Sequence, residues 1–248
     1  MNWRNDLSPD KSGVFEEKDK SMSLEALNQN TMQRITVCRD KIEKLHNQFE
    51  QMLGIQYYEE AHKITCSFLI SEYVQKLKIP SVDDNTDSIF LCARRLLEVF
   101  ITLKYLSQTN TFPKMMEYCQ RDRYEYLEGC NARVVADEKL FPELKNLDNY
   151  ALENQKEQEE ILRNYAGKKP ALMEKMRNMA LAIGYEEEYT YFYKFTSKIL
   201  HFCPFTLNGD VCFEHVVHKV VFLIRISKYL EEISKELEHI YQSIPTSS

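Results

Sequence analysis

The fold is decided by Ser88 to Leu106, SIFLCARRLLEVFITLKYL, a stretch that is apolar on nearly all sides of a helix. Helices that are apolar all round are covered by neighbours on every side. The composition agrees, because 44% of the 248 residues are hydrophobic and only 6 are Gly and 7 are Pro. That balance favours long helices over turn-rich sheets. The sequence therefore predicts an all-α protein with this helix at its centre.

Further helices are predicted on both sides of the central one. The first has a narrow apolar seam that includes Ile35, Ile42 and Phe49 and ends at Gly54. The last also has a broad apolar face and is expected to share the centre of the protein. The predicted helices other than the central one cover residues 23–54, 56–78, 112–135, 143–165, 170–183, 185–201 and 211–241. This pattern predicts a single bundle of about six to eight helices with long N-terminal and C-terminal helices.

The chain divides into a short arm and one domain. Residues 1–21 mix charge, Ser, Pro and Gly without periodicity, so they are predicted to form a flexible N-terminal arm. Residues 22–244 are predicted to form a single all-helical domain. The segment 143–165 is polar and reads as an exposed, peripheral helix.

Cysteine usage and charge predict where the protein works. The 7 cysteines are odd in number and form no Cys-x-x-Cys pair, which is typical of reduced thiols in a cytoplasm. No apolar run is long enough to cross a membrane, so no membrane partner is expected. A net charge of −6 argues against indiscriminate binding of nucleic acid, and any RNA or nucleotide site must be focused.

Charged residues on the central helix are the first candidate site. Glu98 lies four residues after Arg94 and three after Arg95, so either arginine is placed to pair with it. Unpaired charges are costly to bury. The sequence leaves two interpretations open, a structural ion pair at the rim of the bundle and a charged cluster that lines a cleft.

The second candidate site is a file of polar side chains that ends just before Pro204. Tyr193, Ser197 and His201 are spaced by four residues and share one face of a helix. A histidine beside a helix end can titrate near neutral pH and act as an acid or a base. The alternative is a histidine that is hydrogen-bonded to Tyr, Ser or Glu98 and holds the turn in place.

The last helix supplies further candidate binding residues. His215, His218 and Arg225 lie on its less apolar side. Cys212, His215 and His218 are spread over about a third of the helix circumference, too far for one tetrahedral ion, so no metal site is predicted. Glycine-rich nucleotide loops and other readable enzyme motifs are absent from the sequence, so no cofactor is expected.

Two segments together resemble a known group of proteins. The stretch Arg94 to Glu98, RRLLE, and the Tyr-x-x-x-Ser-x-x-x-His-x-x-x-Phe stretch that starts at Tyr193 look like an uncharacterised bacterial all-helical family, a domain of unknown function. That family is in turn similar to the HEPN domains of toxin and antiphage systems, several of which are metal-independent RNases. The resemblance implies a HEPN-like core and a role in bacterial defence or stress response.

The resemblance also implies roles for particular residues. In an endoribonuclease, His201 would be the general acid or base, or contact the scissile phosphate. Arg95 and Lys198 would stabilise phosphate charge, and Glu98 would orient Arg95 or His201. Tyr193, Ser197, Arg94, His215, His218 and Arg225 would then line the binding surface.

Non-enzymatic functions are the alternative. The protein is predicted to act through binding of RNA, a nucleotide or a protein, and whether it is an enzyme stays open. One version is a purely structural interaction module whose first helix and polar 143–165 helix contact a partner. The seam of the first helix could also serve a homodimer, but it has fewer than four clean heptads, which favours packing within the same chain.

Overall fold

The computed structural model of the protein describes residues 23–54, 60–140, 148–200 and 216–245, with the backbone alone at 134–140, 148–151, 195 and 197–200. These residues form an all-α bundle, which confirms the predicted fold class. The described helices are α1 (Leu24–Met52), α2 (Ala61–Lys76), α3 (Thr86–Thr109), α4 (Phe112–Leu140), α5 (Asp148–Asn164), α6 (Met176–Ala182), α7 (Glu186–Leu200) and α8 (Val216–Ser243).

Side-chain caps set the starts of α1 and α3. The Ala26 amide donates to Oγ of Ser23 at 3.1 Å, and the Ser88 amide donates to Oδ1 of Asn85 at 2.8 Å. Each bond satisfies one of the amides that a helix start leaves without an intrahelical partner. Asn110 adopts a left-handed conformation, with φ of 51°, at the C-cap of α3. Helix α3 is therefore longer than its apolar stretch at both ends.

The centre of the bundle lies where α3 and α8 pack together. The rings of Phe90 on α3 and Phe222 on α8 lie 4.1 Å apart, and Phe192 on α7 lies 5.3 Å from Phe222. Helix α1 packs along α8, and Ile42 and Phe49 from its seam are fully buried. The prediction that the central and last helices share the core is therefore confirmed, and the seam of α1 is used within the same chain.

A second, smaller core lies between α4 and α5. Tyr124, Leu127 and Ile161 are buried there, separately from the main core, and Leu162 and Tyr165 pack around them. Helix α4 also contacts α2, so it starts in the bundle and extends beyond it. We call α1, α2, α3, α6, α7 and α8 the bundle, and α4 with α5 the α4–α5 pair.

The predicted helix over 170–183 is wrong in its first half. The described helix α6 covers Met176–Ala182, and residues 169–175 have no regular structure. The Ala171 amide donates to Glu117 Oε1 at 2.7 Å, and Arg121 Nη1 donates to the Pro170 carbonyl at 3.4 Å. The backbone after Pro170 is therefore bound to α4 side chains where a first helical turn was expected.

Helix α7 runs antiparallel to α3. Tyr185, just before α7, packs edge-on against Phe100 at 4.9 Å. Further along α7, the Tyr193 ring meets the Arg94 guanidinium at 4.5 Å. The Arg94 to Glu98 stretch therefore lies beside the Tyr193 end of the other segment that carries the family resemblance.

Several predictions fall outside the described residues. The N-terminal arm over residues 1–21 does so entirely, as do the first residues expected for the second and last helices. The described parts of those helices begin at Ala61 and Val216. The division into one arm and one domain stays a prediction.

Candidate functional site

A groove of about 500 Å³ lies at the place where α4 leaves the bundle. Three helices line it, α2, α3 and α4. The lining residues are Cys66, Leu69, Ile70 and Tyr73 from α2, Arg95, Glu98, Val99 and Thr102 from α3, and Met115, Met116, Cys119 and Asp122 from α4. Pockets of this size and apolar character are typical binding sites.

The groove exists because α3 and α4 have different neighbours. Helix α2 packs against both of them, but α3 otherwise packs against α6, α7 and α8, whereas α4 packs against α5. Phe112, buried at the start of α4, holds that end of the helix in the main core. The Sγ atom of Cys66 lies 3.9 Å from the Phe112 carbonyl, so α2 and α4 are close at this end. From there the sides of the groove are open to solvent.

Large apolar side chains surround the opening. Leu69 and Tyr73 are each 44% exposed and Met116 is 42% exposed. These residues belong to both α2 and α4, and together with Val99 and Ile70 they form one apolar surface. Grouped apolar exposure of this kind marks a binding surface more often than scattered exposure does.

Two charges in the groove have no partner in the described part of the chain. Arg95 on α3 and Asp122 on α4 form no hydrogen bond or ion pair with any described residue. Partial burial raises the pKa of the Asp122 carboxyl, and the neighbouring Glu125 carboxylate raises it further. Both side chains are exposed, so they are accessible to a ligand that carries opposite charges.

The thiols in the groove are protonated at neutral pH. Burial raises the pKa of Cys66 to about 12, and burial followed by the Asp122 charge raises the pKa of Cys119. A thiol needs a lowered pKa to serve as a nucleophile. Both cysteines therefore act as apolar lining.

A cluster of charged and aromatic side chains joins α3 to α7. Nε of Arg94 donates to Oε1 of Glu98 at 3.0 Å, and the Arg94 guanidinium lies over the Tyr193 ring. The Tyr189 ring stacks on Tyr193 with centroids 5.4 Å apart. Of the two pairs that the sequence left open for Glu98, the pair with Arg94 forms. Glu98 also lines the groove, so the ion pair lies at the edge of a cleft.

Arg94 and Arg95 point to different sides of α3. Arg94 faces α7, whereas Arg95 faces the groove. Arg95 also borders a smaller cavity of about 170 Å³, together with Leu77 and Lys78 just after α2. The Arg95 end of the groove is therefore the end at which α2 finishes.

The remaining predicted site residues lie elsewhere or outside the description. His201 and His215 fall outside the described residues, and Ser197 and Lys198 are described by their α7 backbone alone. His218 is exposed in the first turn of α8. Arg225 pairs with Glu188 at 3.1 Å, and Tyr229 donates to the same carboxylate at 2.5 Å. Arg225 is therefore far along α8 and joined to the start of α7.

Sequence reasoning missed the groove residues on α2 and α4. The sequence predicts a helix over 56–78 but no open face on it, because a sequence does not show which side of an apolar helix lacks a neighbour. The spacing of Leu69 and Tyr73, one turn apart, was the available signal. No group of metal-binding side chains occurs in the described ranges, and no helix in them is long and apolar enough to cross a membrane.

Comparison with protein families gives one match. The model of the family of unknown function DUF5677 matches residues 70–215, more than half of the chain. The chain belongs to the DUF5677 family. No curated protein and no solved structure matches this DUF5677 chain. The part of the chain that matches the DUF5677 model includes the groove residues of α3 and α4. It also includes Arg94, Glu98 and Tyr193.

Proposed function

We propose that this DUF5677 protein is a HEPN-like interaction module that binds a partner protein in the groove between α2, α3 and α4. One observation carries the proposal: Leu69, Tyr73 and Met116 remain 42–44% exposed around a groove of about 500 Å³. Covering such side chains removes apolar surface from water, which is the main driving force of protein association. Their placement on two helices gives the surface a defined shape.

The chemistry of the groove supports binding. Its walls are aliphatic, aromatic and thioether groups, and its thiols have raised pKa values. Met115 and Met116 are flexible and polarisable, so they adapt to the side chains of a bound segment. In this proposal the protein works in the bacterial cytoplasm, in defence or stress response, as the resemblance implies.

Photo-cross-linking tests the proposed interaction. A photoreactive phenylalanine analogue replaces Tyr73 in the groove or, as a control, Tyr126, which is 56% exposed on α4 outside the groove. In cells that make the natural protein, position 73 should cross-link to a partner. Leu69→Glu and Met116→Glu should each abolish that product, because they place a charge in the apolar surface.

The matched control is Val37→Glu, which changes a 61% exposed apolar residue on α1. The cross-link at position 73 should survive this change. Equal products at positions 73 and 126, or a product that persists in Leu69→Glu, would show that the groove is not the binding site.

The second candidate function is a metal-independent endoribonuclease. The contact of Arg94 with Tyr193 favours it, because this contact brings together the two segments that resemble the HEPN-like family. In this proposal His201 is the general acid or base, Lys198 and Arg95 stabilise phosphate charge, and Glu98 orients Arg95 or His201. Ser197, His215 and His218 would line the RNA surface.

RNA cleavage tests the nuclease. The purified protein should cut a panel of structured and unstructured RNAs in the presence of a chelator, and His201→Ala should abolish the cut. Lys44→Ala, at an exposed lysine of α1, should keep full activity. Intact RNA across the whole panel would contradict the nuclease and leave the interaction module.

A further inference from the structure

We propose that the groove takes an amphipathic helix from the partner, with acidic residues on the flank beside Arg95 of α3 and basic residues on the flank beside Asp122 of α4. This inference rests on the proposed binding function of the groove and names the shape and charge pattern of the segment that is bound.

The spacing of the lining residues gives the shape of the ligand. The α2 residues run from Cys66 to Tyr73, and the sets on α3 and α4 run over the same seven-residue interval, from Arg95 and from Met115. Each set therefore extends over two helical turns, about 10 Å. Three helix faces of equal length around one groove leave the space that a fourth helix would fill.

The exposed rim distinguishes a helix from a small molecule. A small apolar molecule could occupy the floor beside Ile70 and Val99, but Leu69, Tyr73 and Met116 would stay in contact with water. A helix laid along the groove covers these three side chains as well. Its apolar positions would recur at intervals of three and four residues.

Opposite charges on the two sides of the groove determine which charged flank of the bound helix lies on each side. Arg95 and Asp122 belong to facing helices and lack partners in the described part of the chain. An arginine forms paired hydrogen bonds with a carboxylate, and an aspartate accepts from lysine or arginine. Charged flanks beside an apolar seam set partner choice in coiled coils in the same way.

The other charges nearby are already paired. Glu98 accepts from Arg94 at 3.0 Å, and Arg121 donates to Glu125 at 2.7 Å. Arg95 and Asp122 are therefore the groups in the described groove whose charge a ligand would meet. Reversing both of them should reverse the preferred ligand.

Two designed peptides of about 15 residues provide the test, because this length is enough for a measurable helix. Both have the same leucine seam, and they differ only by exchange of glutamate and lysine between the two flanks. Binding is measured by fluorescence anisotropy at low salt. The wild-type protein should prefer the peptide with the predicted pattern by about tenfold, as two surface ion pairs would give.

The variant Arg95→Glu/Asp122→Lys should prefer the other peptide by a similar factor. Lys44→Glu, which reverses an exposed charge on α1, should keep the wild-type preference. The thermal unfolding midpoint of each variant shows whether it is folded. Misfolding cannot explain a gain of binding, so tighter binding of the exchanged peptide by the double variant is evidence by itself.

The other outcomes separate this inference from the proposed function. Equal binding of both peptides, with loss of both in Leu69→Glu, would overturn the charge pattern and leave the groove as a binding site. Failure of both peptides, while the dye anilinonaphthalene sulfonate binds in a Leu69-dependent way, would overturn the helix and indicate a small ligand. If Leu69→Glu left peptide binding unchanged, both the helix ligand and the proposal that the groove is a binding site would be wrong.

Discussion

The bundle and the α4–α5 pair are stabilised by different interactions. In the bundle, Phe90 and Phe192 both contact Phe222 in a core that reaches all its helices. In the α4–α5 pair, the core formed by the described side chains consists of Tyr124, Leu127 and Ile161, and charged or polar contacts surround them. Arg123 donates to both oxygens of Glu157 at 2.7 Å, and Asn131 donates to Gln158 at 2.9 Å.

This difference places the groove where the two kinds of packing meet. Apolar burial excludes water and fixes α3 rigidly, whereas exposed ion pairs contribute little to stability. We therefore expect the α4–α5 pair to open locally at lower free energy than the bundle. A binding surface with one rigid side and one more mobile side can adjust to its ligand through α4.

The largest expected effect is in the core of the bundle. Phe222→Ala removes a ring that touches Phe90 and Phe192, and should cost about 3–5 kcal/mol of unfolding free energy. The thermal midpoint should fall by roughly 10 °C, measured by circular dichroism. Val37→Ala, at an exposed site, should leave the midpoint nearly unchanged. If Phe222→Ala lost little unfolding free energy, the bundle would not be held by apolar packing, and its contrast with the α4–α5 pair would fail.

The next effect is local. Leu127 is fully buried between α4 and α5, and Leu127→Ala should cost about 2–5 kcal/mol in the opening of that pair. Hydrogen exchange should speed up at the amides of α5, while those of α1, α3 and α8 keep their protection. Equal loss of protection in all helices would show that the two regions unfold as one unit.

Removal of the paired arginine Arg123 should have a smaller effect on stability. Arg123→Ala removes the two bonds to Glu157, both partly exposed, and should cost about 0.2–1 kcal/mol. The cost should shrink at high salt because exposed charges are screened. Arg34→Ala, which breaks the exposed pair with Glu231 in the bundle, is the matched variant. A loss above about 2 kcal/mol for Arg123→Ala would mean that ion pairs, and not the apolar core, hold α5 in place.

The smallest effect is a pH dependence on the surface of the bundle. A hydrogen bond from Lys235, the larger cause, and one from Arg34 lower the pKa of Glu231 below its ordinary value of 4.5. A lowered pKa means that the ionised form favours folding, so this contribution is present above pH 4.5 and is lost as pH falls through the folded-state pKa. Glu231→Gln should therefore be slightly less stable than wild type at neutral pH. The two midpoints should converge in acid, and a constant difference at every pH would contradict the ion pairs.

Sequence patterns predicted elements well where the signal was local. The apolar seam of α1 and the apolar stretch of α3 are properties of neighbouring residues, and the structure confirms the helices that they mark. The start of α6 was wrong because Ala171 and Pro170 bind side chains of α4, about fifty residues earlier in the chain. Only the structure shows that Glu98 pairs with Arg94, whose guanidinium also lies over the Tyr193 ring of α7.

The sequence alone determined that this protein is all-α, with α3 and α8 at its centre, because helical periodicity and apolar composition are written along the chain. The tertiary structure decided that α4 leaves the bundle beside α2 and that Arg95 and Asp122, from different helices, line one apolar groove. Such a site depends on which helix faces lack a neighbour. Residues from three helices form the groove, and the sequence pattern of a single helix does not show that a neighbour is missing there.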